Sequence, residues 1–346
     1  MKTFARAGAT IATGAALVIM GLGPVLAADA AAPTTRPTTS SVSAKAVEVR
    51  TGGSTTKATP GIVTVMWGRS NWSVATGSGC QFTPPGSRNL EQNLIDLRSR
   101  GLKASGGVVL NRTAATARTC VSDMMTQSSW ADLARLRDAY GFSVNSQGAT
   151  YADMTAMKTD AQRFTESGAT LPVFKIRGFT RAWGAFNYPN NKINAAAAAV
   201  VAKSFAFGRQ YGTVVNQRAD VMTYPYLMRT LSVMGGRCNN AALPCYRMPV
   251  SNDRRTSDPS RIATFLSPKA DEWAVVQFYR LVEGKYGTMG SGLGWDCSSS
   301  DWRNRWTNHP EIYCRNNFLA ALDLRASGTT NLDPAGVALL WGRTPR

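Results

Sequence analysis

The chain has 346 residues, with 39 Lys and Arg against 21 Asp and Glu, a formal net charge of +18 and a single histidine, His309. One histidine cannot supply a multi-histidine metal centre, and no CxxC pair is present to build a zinc module. The excess positive charge favours anionic partners: wall polymers, acidic glycans, nucleic acids or membrane surfaces.

In chain order, residues 1–30 read as a secretory leader. Lys2 and Arg6 precede a short apolar run from Ala15 to Met20, and small residues follow, with cleavage expected after Ala27 or Ala30. The run is broken by glycines and falls short of the ~20 residues that a bilayer requires, so a secreted, extracellular protein without stable membrane insertion is expected. Residues 31–60 are rich in Thr, Ser, Ala and Pro, with few bulky apolar side chains to offset the entropy of ordering, and read as a disordered linker. Residues 61–346 form the remaining domain.

Within it, apolar and β-branched runs predict strands at IVTVMW (62–67), ASGGVVL (104–110), FSVNSQ (142–147), LPVFKI (171–176), FAFGRQ (205–210), YRMPV (246–250), EWAVVQFY (272–279) and GVALLW (336–341). Helical spacing lies between them, at Leu90/Leu94/Leu97, at Trp130/Leu133/Leu136/Tyr140 and at Met154/Met157/Ala161/Phe164. Ser128 or Ser129 is placed to cap one helix, Gly141 and Gly168 to end two, and the alanine run after Asn194 favours another. Seven or eight βα units without a phosphate-loop signature predict a (β/α)7-8 barrel, with ligands meeting the loops beyond the strand ends. Six cysteines (Cys80, Cys120, Cys238, Cys245, Cys297 and Cys314) in an exported chain predict three disulfides. Sequential pairing is the simplest of the fifteen possible connectivities.

With the elements in this order, Gly61 to Arg343 resembles the polysaccharide deacetylase family, the NodB-homology carbohydrate esterases. The segments that carry the resemblance are IVTVMWGR, RGLKASGGVVL, GFSVNSQGATYADM, RAWGAFN, AFGRQYG and EWAVVQFYRLV. The resemblance implies a distorted (β/α) barrel and metal-assisted hydrolysis by two aspartates, two metal-binding histidines and a late histidine. Trp67 and Gly68 stand in the aspartate positions, Gln147 and Tyr151 in the metal-histidine positions and Tyr279 in the late-histidine position. Arg181 matches the arginine that buttresses the base. Hydrolysis of this kind needs a cation to polarise the carbonyl, a carboxylate base and an imidazolium acid. The five replacements therefore imply a degenerate member, with no metal and no other cofactor. The resemblance also implies that Trp67, Gln147, Arg181 and Tyr279 share one end of the barrel.

Other chemistry has weaker support. A Ser/His/Asp system would have to use His309, and no GxSxG elbow is present. A metal-independent carboxylate pair could be drawn from Asp296, Asp301 and Glu311. GSGLGW at 290–295 lacks the final glycine of a dinucleotide loop. Aromatic and basic residues crowd the segment from Gly284 to Cys314, where Tyr286, Trp295, Trp302, Trp306 and Tyr313 alternate with Arg303 and Arg305, and Arg315 follows. Trp67, Arg69 and Trp72 follow the first strand, and Trp183 lies in RAWGAF. Indole faces stack on sugar rings and guanidinium groups pair with acids, so Trp67, Arg69, Trp72, Trp183, Trp295, Trp302 and Trp306 are the candidate ligand-binding set. Packing into the core is the competing use for each. The resulting expectation is a monomer that binds a polysaccharide or anionic cell-wall polymer. Its alternatives are an active carbohydrate hydrolase and an extracellular module for a protein or nucleic-acid partner.

Overall fold

The computed structural model describes residues 60–68, 86, 88–113, 120–122, 125–126, 128–212, 214–233, 259–286, 295–298 and 312–344. The leader, the linker and the YRMPV segment lie outside them. So do Arg69, Trp72, Cys80, Cys238, Cys245, Asp301, Trp302, Arg303, Arg305, Trp306, His309 and Glu311, and of Cys120, Trp295 and Asp296 only the backbone is described.

Runs that can bury both faces make parallel strands, and seven of them pair in sequence order: β1 (Ile62–Trp67), β2 (Ala104–Val108), β3 (Ser143–Ser146), β4 (Ala185–Asn187), β5 (Phe207–Tyr211), β6 (Met228–Ser232) and β7 (Glu272–Phe278). Every neighbouring pair is parallel, and β7 returns to β1 over a register running from Ile62↔Trp273 to Trp67↔Phe278. The sheet is therefore a closed seven-stranded barrel. Its seams are unequal, since β3 meets β4 at the single pair Ser146↔Phe186.

Two-residue strands fill the gaps where the starts of β1 and β7 splay from their neighbours. Thr330–Asn331 lies parallel to the start of β1, and Asn216–Gln217 antiparallel to the start of β7. In each, an asparagine amide stitches two barrel strands. Asn331 accepts from the Lys103 amide before β2 and donates to the Val63 carbonyl in β1. Asn216 donates to the carbonyls of Arg229 and Trp273 and accepts from the Arg229 amide, joining β6 to β7.

Helices wrap the outside: α1 (Leu90–Arg98), α2 (Trp130–Tyr140), α3 (Asp160–Glu166), α4 (Thr170–Ile176), α5 (Ala195–Val201), α6 (Arg218–Thr223), α7 (Pro259–Phe265) and α8 (Arg315–Asp323), while α9 (Pro334–Leu340) packs at the strand starts. Ser129 caps α2, Asn194 caps α5, and Gly141 ends α2 at φ +66°, a conformation glycine adopts without a Cβ penalty. Of the Met154-to-Phe164 spacing, only the part from Asp160 is helical.

Two expected strands are helices. The helix that contains LPVFKI begins one residue earlier and buries Thr170 and Phe174, four apart, while Ile176 is 84% exposed, which is one face of a helix. In GVALLW, Asp333 accepts from the Gly336 amide as an N-cap and Pro334 takes the first turn, so the chain enters a helix two residues earlier. The strands that replace them in the barrel, β4 and β6, are short or carry polar inward residues. Cys297 and Cys314 form the expected local disulfide, 17 residues apart; the other two pairings lie outside the described residues.

Candidate functional site at the strand ends

Alternation along each strand separates an outer core from the barrel interior. Val63, Val65 and Trp67 of β1 face outward onto Leu90, Leu94 and Leu97 of α1 and Phe318 of α8. Inside, Ile62, Met66, Ala185, Phe207, Met228, Trp273 and Val275 pack in one cluster with Trp183 and, from the strand starts, Ala335, Val337, Ala338 and Trp341. Trp273 donates its indole N–H to Thr64 Oγ1 within this layer.

Further along the strands the inward positions turn polar. Ser105 of β2, Asn145 of β3, Asn187 of β4, Arg209 of β5, Thr230 and Ser232 of β6 and Gln277 of β7 are all buried. On each, one side-chain atom has no hydrogen-bond partner: Ser105 Oγ, Asn145 Nδ2, Asn187 Oδ1, Arg209 Nε, Thr230 Oγ1, Ser232 Oγ and Gln277 Oε1. A buried, unsatisfied polar group costs about 1–3 kcal/mol, and folded proteins keep few of them. Such groups on six strands give the inner layer toward the strand ends hydrogen-bonding capacity that the described residues do not use. Gln147 and Tyr211, at the ends of β3 and β5, are half-exposed, so this polar layer, the chamber of the barrel, reaches solvent at the strand ends.

Gly68 and Gly107 shape it. A Cβ on Gly68 would strike the Gln277 amide and the Tyr279 ring, and one on Gly107 would lie 2.6 Å from both Gln147 Oε1 and Asn187 Nδ2. The Gln147 and Asn187 carboxamides thus lie over the Gly107 backbone. The Tyr279 hydroxyl forms a short hydrogen bond with that of Tyr211, so two rings meet at the mouth.

The loop after β3, the GATYA of GFSVNSQGATYADM, folds around one carboxylate. Glu166 of α3 is buried and accepts from the Thr150 amide, the Thr150 hydroxyl at 2.8 Å and the Ala152 amide at 3.0 Å. Between those amides Tyr151 is held at φ +72°, in the left-handed region that non-glycine residues seldom occupy, with Arg112 4.9 Å from its ring centroid. Replacing Glu166 with alanine is expected to cost about 2–3 kcal/mol and to speed hydrogen exchange of the Thr150 and Ala152 amides selectively. Unchanged exchange at those two amides would show that the loop is held by other contacts.

Several expectations change here. Trp67 is not at the chamber: at 1% exposure its ring stacks on Phe278 and meets Phe318 edge-on. Outward alternation in β1 puts it there and leaves Gly68 inward. Trp183 is core as well, buried in the apolar interior layer. Arg181 lies at the opposite end from Gln147 and Tyr279. It precedes β4, lines a cavity of about 340 Å³ with Lys103, Arg137 and Asn331, and forks onto Asp333, the α9 cap. Those hydrogen bonds raise its pKa above the ordinary arginine value. The residue that does end β4 inside the barrel is Asn187. Tyr313 packs on Phe278 and Arg315 is bound to Asp96, so neither serves the mouth. Arg209 lies outside the ligand-binding set expected from the sequence, although FAFGRQ, predicted as a strand over 205–210, overlaps β5.

The divalent cation implied by the sequence resemblance does not fit these residues. Gly68 carries no donor and has no room for one, and Gln147 and Tyr151 offer a neutral amide and a phenol where a metal site needs charged or imidazole ligands. Among the described residues no group of three His, Cys, Asp or Glu is placed to hold a metal.

No family model and no curated protein sequence matches the chain. Among solved structures it is similar to the Xyl-CE4 domain of a multidomain xylanase from the hindgut metagenome of Trinervitermes trinervoides, at 11% identity and TM-score 0.41, covering 82% of this chain and 92% of that one. A chitin deacetylase from Colletotrichum lindemuthianum is similar at 14% identity and TM-score 0.40, covering 83% and 90%. A family 4 carbohydrate esterase from Streptomyces lividans shares 17% identity at TM-score 0.29, over 48% and 72%. At these scores the barrel assignment rests on the strand pairings of the chain itself.

Proposed function

We propose that the domain is a polysaccharide deacetylase-like barrel, exported from the cell, that binds a polysaccharide at its strand ends and does not deacetylate it. The observation that carries this reading is the composition of the chamber: amides, hydroxyls and one guanidinium occupy the inward positions where hydrolysis would need a carboxylate base and metal ligands. Amides and hydroxyls suit the hydroxyl-rich surface of a sugar, because each both donates and accepts. The leader-like N-terminal sequence and the Cys297–Cys314 disulfide support export to an oxidising compartment.

Calorimetric titration against chito-oligosaccharides, xylan, peptidoglycan fragments and uronate oligomers tests the binding half. Acetate release from their acetylated forms, with zinc or cobalt added, tests the catalytic half. Saturable binding of at least one glycan without acetate release is expected, and Gln147→Ala should weaken that binding while leaving the melting temperature close to that of the parent. Metal-dependent acetate release would overturn the reading, as would failure to bind any of the four glycan classes.

A further inference from the structure

The chamber contains a charge that the polysaccharide reading leaves unexplained. Arg209 is 4% exposed. Among the described residues no carboxylate pairs with it and no group accepts from its buried Nε, and the Tyr211 ring centroid lies 5.0 Å from the guanidinium carbon. Among the described residues the buried Arg163 and the half-buried Arg88 are both paired. Arg88 binds Asp96 and Glu283, and Arg163 binds Asp160 and two backbone carbonyls. An unpaired buried cation is among the most costly groups a fold can carry, and a tyrosine face recovers only part of its lost hydration.

Position gives the charge a use. Phe207 lies in the apolar interior layer, and Gly208 backs onto Tyr188 on the outside, so Arg209 faces inward. It stands in register with Asn187 on β4, whose Oδ1 is also without a partner and whose Nδ2 lies beside Gln147 over Gly107. A planar fork of N–H donors beside two carboxamides and several hydroxyls, open at the strand ends, matches a planar, singly charged, hydrogen-bonding ligand group. We infer that Arg209 is the recognition residue for the carboxylate of an acidic sugar, a uronate unit of the bound polymer, with Asn187 and Gln147 holding the neighbouring hydroxyls. A single guanidinium neutralises one negative charge. A phosphate monoester carries up to two negative charges and would leave an excess in a lining that is otherwise neutral, and a sulfate ester, though singly charged, is tetrahedral where the guanidinium fork is planar. The positive field of the whole chain draws such polymers in. This inference rests on the polysaccharide reading and specifies its sugar.

The test uses the secreted protein and its Arg209→Met and Arg209→Lys variants, with sodium glucuronate, glucose, sodium sulfate and sodium phosphate as small probes and oligogalacturonate against its methyl ester as polymers. Glucuronate is expected to raise the melting temperature of the parent while glucose, sulfate and phosphate do not. Oligogalacturonate should bind about 10- to 100-fold more tightly than its ester. Arg209→Met should abolish both differences and, without ligand, melt no lower than the parent, because it removes an uncompensated charge. Arg209→Lys should retain only part of the preference, since an ammonium cannot fork. Equal response to sulfate or phosphate, equal binding of acid and ester, or a preference that survives Arg209→Met would overturn the inference. If neither Arg209 variant folds, Gly107→Ala decides: its Cβ displaces the Asn187 and Gln147 amides, and undiminished glucuronate binding would overturn the inference. Binding of neutral glycans with no gain from the acid would sink the inference and leave the polysaccharide reading intact. A glucuronate response in a protein that binds no polymer would do the reverse.

Discussion

Replacement of Trp67 by alanine is expected to lower the unfolding free energy by about 3–5 kcal/mol, the range for truncating a fully buried aromatic. The indole lies between β1 and the outer helices, stacked on Phe278 at 5.8 Å and edge-on to Phe318 at 6.1 Å, and Phe278 and Phe318 themselves touch at 4.7 Å. Removing one member of this triad opens a cavity that strands fixed on both sides cannot close. Chemical denaturation of the parent, Trp67→Phe and Trp67→Ala should give a graded loss, with the phenylalanine variant nearer the parent. Glycan affinity per folded molecule should be unchanged in both. A loss of affinity without a loss of stability would return Trp67 to the binding surface.

Asp96→Ala is expected to be comparably severe, at about 3 kcal/mol, toward the lower end for breaking a buried ion pair because one of its arginines is a third exposed. Asp96 of α1 is buried and accepts from Arg88 at 2.9 Å and from both Nε and Nη2 of Arg315 at 2.8 and 2.7 Å. Arg315 opens α8 directly after the disulfide cysteine 314, and Arg88 also holds Glu283, so one carboxylate ties α1, α8 and the segment following β7. Without it two cations face each other with only the half-exposed Glu283 between them. Asp96→Asn, which keeps the shape but loses the charge, should fall between the parent and the alanine variant in thermal melts. A melting temperature unchanged in both would show that the cluster contributes nothing net.

The sequence made the barrel legible where burial is two-sided. β1 and β7 are runs rich in apolar and β-branched residues, as strands buried on both faces are. It hid β4, which has three residues, and β6, where Met-Arg-Thr-Leu-Ser places Thr230 and Ser232 inside the barrel and so lacks the expected apolar face. In α4 and α9 the apolar content resembled strands, yet Asp333-Pro334 was a helix start already present in the sequence. That Gly68, Gln147 and Tyr151 offer no charged or imidazole donor is readable from the residue types alone. The chamber was not, because which of Phe207, Gly208 and Arg209 points inward depends on how seven strands close on one another. One arginine among 39 basic residues carries no mark of being the one buried without a partner.

The seam between β3 and β4 sets the order in which this hoop gives way. The other six seams are clasped by two or more residue pairs, but here one pair, Ser146↔Phe186, bridges the gap directly beside Gln147 and Asn187. Local opening begins where backbone bonds are fewest. Among the barrel strands, amide hydrogen exchange is therefore expected to be fastest at the β3–β4 joint, beside Gln147 and Asn187.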